Sequence, residues 1–189
     1  MSNPALSWHA KLAAKALKAG QIIAYPTEGV WGLGCDPSNR SAMTRLAELK
    51  QRPLEKGVIL IAADLSQVEY LLAPLAADMR ATAENLWPGF VTCLLPDLAG
   101  QVPEWIRGRH TSVAVRVSRH PPVEALCRAF GGPIVSTSCN PSGRPPARSN
   151  LEARRYFNAT VTRYMMGETG KSRGPSPILD LRTGKYLRS

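Results

Sequence analysis

Helix-type and strand-type patterns alternate along the 189-residue sequence, and this alternation restricts the possible folds more than any other feature. Residues Pro4 to Ala19 are rich in Ala, Leu and Lys and end at Gly20, which predicts a helix. The next run, Gln21 to Tyr25, is short and apolar, which predicts a buried strand that ends at Pro26. Near-continuous apolar strands between helices predict an α/β (α+β) fold whose sheet is covered on both faces.

The same alternation continues to the end of the chain. We expect Ser41 to cap one helix and the capping box Ser66-x-x-Glu69 to open another. The other predicted helices are Pro74 to Trp87, Val123 to Phe130 and Leu151 to Phe157, and the helix that Ser41 caps ends at Lys50. The predicted strands are Val58 to Ala62, Phe90 to Leu95, Ser112 to Val117, Pro133 to Ser136 and Thr160 to Met165. A predicted hairpin around Thr183-Gly184, formed by Pro177 to Leu181 and Lys185 to Arg188, makes the sheet mixed. Because no repeat or low-complexity linker divides the sequence, we expect one domain, residues 1–189.

Composition indicates a basic, water-soluble protein. The sequence has 24 Lys and Arg against 14 Asp and Glu, a formal net charge of +10, which attracts polyanions such as nucleic acid or polyphosphate. No apolar run approaches the roughly 20 residues that span a bilayer, and the N-terminus does not resemble a secretion signal. We therefore expect a cytoplasmic protein without a membrane partner. The four cysteines are scattered and do not pair with the histidines, so we expect reduced, buried thiols and no metal site.

Two phosphate-binding motifs match only in part. Gly170-Lys171-Ser172 resembles the end of a P-loop, but Met165 stands where that motif needs a glycine. Arg173-Gly174-Pro175 also prevents the helix that a P-loop requires. Gly32-x-Gly34 resembles the start of a dinucleotide-binding turn, but Pro37 replaces the third glycine. Neither motif explains the sequence.

Three polar segments lie near the ends of predicted elements, where open α/β sheets bind ligands. The first is Tyr25 to Asp36, whose glycines permit close approach to a ligand. The second is Lys50-Gln51-Arg52-Pro53 with Lys56 beyond it, which suits a triphosphate. The third is Ser136 to Gly143, a hydroxyl-rich turn that can hold a nucleotide. Each segment also has a purely structural explanation. The glycines of the first could serve only packing, the second could be a solvated helix end, and the third could be an ordinary turn.

Taken in order, these segments resemble the YrdC/TsaC family of threonylcarbamoyl-AMP synthases in its short, single-domain form. The matching residues are Pro26-Thr27-Glu28 to Trp31-Gly32-Leu33-Gly34-Cys35-Asp36, Lys50-x-Arg52-Pro53, Ser112-Val113-Ala114-Val115-Arg116-Val117, Ser136-Thr137-Ser138-x-Asn140-x-Ser142-Gly143 and Pro175-Ser176. The resemblance implies a twisted mixed sheet with a basic concave face. It implies a nucleotidyltransferase that makes threonylcarbamoyl-AMP and pyrophosphate from L-threonine, bicarbonate and ATP, with Mg²⁺ carried on the triphosphate.

The resemblance also implies roles for individual residues. A catalytic tetrad would surround the triphosphate and the reaction centre: Lys50, Arg52, Ser138 and Asn140. ATP would be bound by Lys50, Arg52, Ser112, Ser138 and Arg188, and L-threonine by Thr27, Arg116, Ser136 and Ser176. No residue is an obvious general base, so substrate or water would carry that proton. The implied partners are tRNA or double-stranded RNA at the basic face and downstream proteins that transfer the threonylcarbamoyl group to tRNA.

Two other hypotheses remain at this point. The first is a non-catalytic factor that binds double-stranded RNA during tRNA or ribosome maturation, which the net charge of +10 favours. The second is a P-loop kinase that uses Lys171, for which Lys171→Ala would abolish activity.

Overall fold

The computed structural model of the protein describes residues 3–158 and 160–188. Its α-helices are α1 (Pro4–Lys18), α2 (Arg40–Lys50), α3 (Glu69–Leu72), α4 (Ala77–Leu86), α5 (Glu104–Arg107), α6 (Pro121–Phe130) and α7 (Asn150–Phe157). Its strands are β1 (Ile23–Pro26), β2 (Trp31–Gly34), β3 (Ile59–Ala62), β4 (Thr92–Pro96), β5 (Ser112–Val117), β6 (Ile134–Ser138), β7 (Arg163–Tyr164), β8 (Ile178–Asp180) and β9 (Lys185–Arg188). Short 3-10 helices cover Leu54–Lys56 and Leu65–Val68.

All nine strands join one sheet in the order β7-β1-β2-β6-β3-β5-β4-β8-β9. The pairs β1–β7, β3–β5 and β4–β8 are parallel, and the other five strand pairs are antiparallel. The predicted mixed sheet is therefore confirmed, although the mixing runs through the whole sheet and not only through the C-terminal hairpin.

One face of the sheet is fully covered. Side chains at alternate strand positions, such as Leu33, Leu60, Val115 and Val135, point into a single apolar core with residues of α2, α3, α4, α5 and α7. Most of the buried side chains on this face have almost no exposed surface. Their burial supplies most of the apolar area that stabilises the fold.

The opposite face is covered over only part of its width. Helices α1 and α6 pack against Ile23, Tyr25, Ile61 and Ile134 in a second apolar core. Strands β4, β5 and β8 contribute no residue to this second core. The prediction that both faces are covered is thus wrong for this part of the sheet, which lines the cavity described below.

Three local predictions are also corrected. The polar segment that follows β1 contains a strand that was not predicted, since Trp31–Gly34 forms β2 and pairs antiparallel with β1. Helix α2 is capped by Asn39, whose side chain accepts from the amide of Ala42, and not by Ser41. The capping box is wrong as well, because the Asp64 side chain caps a 3-10 helix there.

Two predicted ranges are several residues longer than the elements observed. The helix predicted from Pro74 covers only Ala77–Leu86, and the strand predicted from Thr160 covers only Arg163–Tyr164. Within the described ranges, no helix is both long and apolar enough to cross a membrane.

Candidate active site

The uncovered part of the sheet forms the floor of a cavity of about 620 Å³. Strand register places one row of floor residues side by side, because Ser136 pairs with Ile59, Ile59 with Ala114, Ala114 with Leu94, and Leu94 with Asp180. All five line the cavity. Candidate residues therefore lie along a sheet face and not at a common strand edge, because a mixed sheet has no edge where all carboxyl ends meet.

Strand β5 shows how the sequence divides the two faces. Val113, Val115 and Val117 point into the covered core, whereas Ser112, Ala114 and Arg116 point into the cavity. Successive side chains of a strand alternate between faces, so this polar and apolar alternation fixes which face is open.

Six arginines line the cavity, and three of them are predicted site residues: Arg52, Arg116 and Arg188. Arg52 donates to the carbonyl of Gly57 at 3.0 Å, and Arg188 donates from Nε and Nη2 to the carbonyl of Ser176 at 2.9 and 2.6 Å. Burial, together with the positive charges of Arg116 and Arg52, lowers the pKa of Arg188. Fixed, partly desolvated cations this close together form a site for a polyanion.

The third guanidinium, Arg116, is almost fully buried and contacts Glu28, with 3.2 Å between Nη2 and Oε2. Its charged end also lies 5.6 Å from the centre of the Phe90 ring. Its buried Nε has no hydrogen-bond partner among the described residues. Because Arg116 lines the cavity, its guanidinium can bind a carboxylate ligand there.

Lys50 ties the end of α2 to the turn that follows β6. Its ammonium donates to the carbonyl of Ser138, and to that of Asn140 at 2.8 Å. The carbonyl of Lys50 accepts from the amide of Ser142 at 2.9 Å. Burial lowers the pKa of Lys50 to about 8. In this conformation the ammonium is directed at backbone carbonyls, and Lys50 does not line the cavity.

Asn140 also serves the turn that it belongs to. Its Nδ2 donates to the carbonyls of Pro141 at 3.1 Å and Arg144 at 2.6 Å, while its buried Oδ1 has no partner among the described residues. Like Lys50, it does not line the cavity.

Hydroxyl groups complete the lining. Thr27 Oγ1 donates to the carbonyl of Val30 at 2.8 Å, which leaves its lone pairs free to accept from a ligand. Ser176 Oγ and Thr92 Oγ1 share a buried hydrogen bond of 2.7 Å. Arg182 Nη2 donates to Ser112 Oγ at 2.7 Å.

Eight of the ten residues that the sequence predicts for the site line this cavity, and only Lys50 and Asn140 do not. The eight are Thr27, Arg52, Ser112, Arg116, Ser136, Ser138, Ser176 and Arg188. The structure brings all ten close together, because Lys50 donates to the carbonyls of Ser138, which lines the cavity, and of Asn140.

Sequence reasoning missed several lining residues. They are Arg107 at the end of α5, Arg109, His110 and Thr111 in the loop before β5, and Arg182 in the turn before β9. The polarity of the stretch from Pro96 to Arg109, which contains α5, was the available signal for Arg107 and Arg109, but it could not show which of its residues face the cavity.

The lining residues do not form a metal site. Asp180 is the one carboxylate among them, and it accepts from the amide of Arg182 and from Thr183 Oγ1 within its own turn. Across residues 3–158 and 160–188, no group of three or more His, Cys, Asp or Glu could hold a metal ion. All four cysteines are buried, as the sequence predicts.

The rejection of the P-loop is confirmed. Residues 170–172 have no helix after them, and they pair with the β1–β2 turn through bonds from Gly170 N to Thr27 O and from Ser172 N to Glu28 O. Lys171 does not line the cavity. The kinase hypothesis therefore has no structural support.

Comparison with known proteins agrees with this geometry. The Sua5_yciO_yrdC family model, described as telomere recombination, matches residues 15–189. A threonylcarbamoyl-AMP synthase of Marinobacter nauticus is 58% identical over 177 residues, which cover 94% of this chain and 93% of that protein. One of Nitrosococcus oceani is 50% identical over 182 residues, or 96% of this chain and 98% of that protein.

Solved structures show the same fold. P. abyssi Sua5 complexed with L-threonine matches with a TM-score of 0.85 and 30% identity, over 93% of this chain and 52% of that one. E. coli YciO matches with a TM-score of 0.84 and 25% identity, over 100% of this chain and 91% of that one. The chain thus spans about half of the length of Sua5 but nearly all of the two synthases above.

Proposed function

Because this chain belongs to the Sua5, YciO and YrdC family, we propose that it is a threonylcarbamoyl-AMP synthase, a nucleotidyltransferase. The reaction converts L-threonine, bicarbonate and ATP into threonylcarbamoyl-AMP, pyrophosphate and water. One observation carries the proposal in the structure: a cavity of about 620 Å³ in which three fixed arginines face a polar sheet surface. That arrangement suits a triphosphate and an amino-acid carboxylate in one site.

L-Threonine is bound at the Arg116 end of the cavity. The guanidinium of Arg116, which lines the cavity, binds the carboxylate in a two-pronged contact. Thr27 Oγ1, which already donates to Val30, accepts a hydrogen bond from the amine or hydroxyl of the substrate. Ser136 and Ser176 supply further hydroxyls on either side.

ATP is bound by the remaining cations. Arg52 and Arg188 are held by backbone carbonyls and partly desolvated, so their charges act strongly on the triphosphate oxygens. Ser138 and Ser112 add hydroxyl contacts, and Lys56 and Arg182 extend the positive surface. Two substrates bound in one cavity react faster than in solution because the reacting atoms are positioned in advance.

The chemistry then has two steps. The threonine amine loses a proton and attacks carbon dioxide, which is formed from bicarbonate with loss of water, to give a carbamate. A carbamate oxygen attacks the α-phosphorus of ATP, the bond to the bridging oxygen breaks, and pyrophosphate leaves. The arginines stabilise the charge that develops on the leaving pyrophosphate. Substrate or water carries the amine proton, since the described lining offers no obvious base.

Lys50 and Asn140 support this chemistry without lining the cavity, because they lie next to the lining residue Ser138. Lys50 holds the carbonyls of Ser138 and Asn140, so the Ser138 hydroxyl stays at the cavity surface. The direct contact of both residues with ATP that the resemblance implies stays a prediction, and it would require the Lys50 ammonium to leave its two carbonyl acceptors.

Mg²⁺ enters with the triphosphate in this proposal. The lining has one carboxylate, already used within its turn, so the described residues do not fit a protein-built magnesium site. No step above depends on a metal bound to protein side chains.

The cellular context completes the proposal. The product serves threonylcarbamoyladenosine formation on tRNA in the cytoplasm, through downstream transfer proteins. The net charge of +10 and the cationic lining support contact with tRNA or double-stranded RNA at the basic concave face. The hypothesis of a purely non-catalytic RNA-binding factor is not favoured, because it leaves the polar cavity without a role.

The test is product identification by mass spectrometry. The protein is incubated with ATP, L-threonine and ¹³C-bicarbonate, and the expected product is threonylcarbamoyl-AMP that carries the label. Arg52→Ala should abolish the product without unfolding the protein, whereas Lys171→Ala, a matched loss of positive charge outside the cavity, should retain it. Unlabelled product, or no product from folded protein, would refute the proposed reaction.

A further inference from the structure

The turn between β1 and β2 carries a carboxylate that does not line the cavity but contacts an arginine that does. Glu28 Oε2 lies 3.2 Å from Arg116 Nη2, and the two side chains are only 15% and 6% exposed. The other carboxylate oxygen, Oε1, accepts from Ser118 Oγ at 2.7 Å. Glu28 is thus held on one side and contacts Arg116 on the other.

Arg116 needs such a contact because its surroundings are cationic. Arg52 and Arg116 both lie close to Arg188, because their positive charges lower the pKa of Arg188. Glu28 is the ion-pair partner of Arg116 within residues 3–158 and 160–188. Asp180, the carboxylate in the lining, is committed to its own turn. Removing a partner from a buried cation leaves that charge uncompensated, and the side chain is then free to reorient.

The backbone fixes Glu28 before any ligand binds. Its carbonyl accepts from the amide of Ser172 at 3.1 Å, and the neighbouring Thr27 carbonyl accepts from Gly170 at 3.0 Å. A Cβ on Gly29 would lie 2.0 Å from the carbonyl oxygen of Gly174, so this turn and the 170–174 segment pack backbone to backbone. The carboxylate therefore stands on a rigid support, as a positioning group requires.

We propose that Glu28 is a positioning residue for amino-acid binding, whose carboxylate holds the Arg116 guanidinium in the cavity lining, where that guanidinium binds the substrate carboxylate. The inference rests on the proposed function, in which Arg116 binds L-threonine. Glu28 does not touch the substrate. It acts through Arg116, so its loss should weaken L-threonine binding and leave ATP binding in place.

The test compares Glu28→Ala and Glu28→Gln with wild type in steady-state kinetics of pyrophosphate release. Glu28→Ala should raise the KM for L-threonine about tenfold or more, with the KM for ATP changed by less than about twofold. Glu28→Gln should give a smaller rise, because its amide oxygen still places a partial negative charge beside the Arg116 guanidinium. Glu48→Gln, which removes an exposed carboxylate from the nearby helix α2, is the control and should match wild type.

Three results would overturn the inference. The first is an unchanged KM for L-threonine in Glu28→Ala. The second is an equal rise in the KM values for L-threonine and ATP, which indicates general damage to the site. The third is a Glu28→Gln variant that is as impaired as Glu28→Ala. If Glu28→Ala fails to fold, folded Glu28→Gln decides the question, and a wild-type KM for L-threonine in that variant counts against the proposal. Wild-type protein without activity would instead refute the proposed function, so the two failures are distinguishable.

Discussion

At the scale of single residues, the site works because its cations are fixed before substrate arrives. Arg52 and Arg188 are each held by a backbone carbonyl, and Arg116 is held by Glu28. A long side chain that is already ordered loses less conformational entropy when it binds a ligand. The arginines are therefore preorganised for anions rather than recruited by them.

Arg116→Lys tests the two-pronged contact with L-threonine. Lysine keeps the charge but loses the planar fork, so the KM for L-threonine should rise by about tenfold to a hundredfold while the KM for ATP changes little. Steady-state kinetics measures both constants. The control is Arg119→Lys, an exposed arginine three residues along the chain. Equal effects at both positions would contradict the assignment.

Lys50 makes stability depend on pH in a defined direction. Burial lowers its pKa from 10.5 to about 8, so between these values the unfolded chain binds more protons than the folded one. Unfolding then becomes less favourable as pH rises through this window. Between roughly pH 7 and 10, the free energy of unfolding of wild type should rise by about 2 kcal/mol relative to that of Lys50→Met. Urea titrations of both proteins across this range measure the difference, and a constant difference would contradict the burial account.

At the scale of elements, two segments close the site by backbone contact. The β1–β2 turn and residues 170–174 approach so closely that side chains are excluded at Gly29 and Gly170. At Gly170 a Cβ would lie 2.7 Å from the carbonyl oxygen of Glu28. This packing sets the position of both Thr27 and Glu28.

Gly29→Ala should separate these segments. The new Cβ would meet the Gly174 carbonyl at 2.0 Å, so the backbone must shift, and we expect a loss of about 1–3 kcal/mol in stability together with a lower kcat/KM. Gly132→Ala is the control, since a Cβ there meets nothing within 4 Å and its backbone is not left-handed. Thermal unfolding and pyrophosphate release measure the two effects. Equal behaviour of the variants would show that the contact is unimportant.

Most elements were predictable from their own sequence, and the failures have local causes. Helix α6 and strand β5 have regular apolar periodicity, so both were found. Strand β2 was missed because Trp31-Gly32-Leu33-Gly34 has two glycines, which usually weaken a strand. These glycines are needed because Cβ atoms at Gly32 and Gly34 would press on the ring of Tyr25, a contact that exists only in the folded sheet.

At the scale of the whole molecule, the site exists because the helices leave part of one sheet face uncovered. Helices α1 and α6 cover the other part, and the uncovered part is lined by Arg52, Lys56, Arg107, Arg109, Arg116, Arg182 and Arg188 against Asp180. The motifs predicted eight of the lining residues. They could not show the open face, because it depends on strand order and register between distant segments.

Salt should weaken ATP binding more than L-threonine binding. ATP carries several negative charges into a cationic cavity, whereas L-threonine is a zwitterion, and salt screens charges beyond about 10 Å at about 0.1 M. The KM for ATP should rise severalfold between about 0.05 and 0.3 M NaCl, with a smaller change for L-threonine. An ATP KM that is insensitive to salt would contradict the role given to these cations.

The central claim is that one cavity joins L-threonine, bicarbonate and ATP. The most direct measurement is pyrophosphate release from ATP in the presence of Mg²⁺, with L-threonine and bicarbonate omitted in turn. We predict release that requires both substrates and is lost in Arg52→Ala. Release that is independent of either substrate, or absent from folded wild-type protein under every condition, would contradict the account.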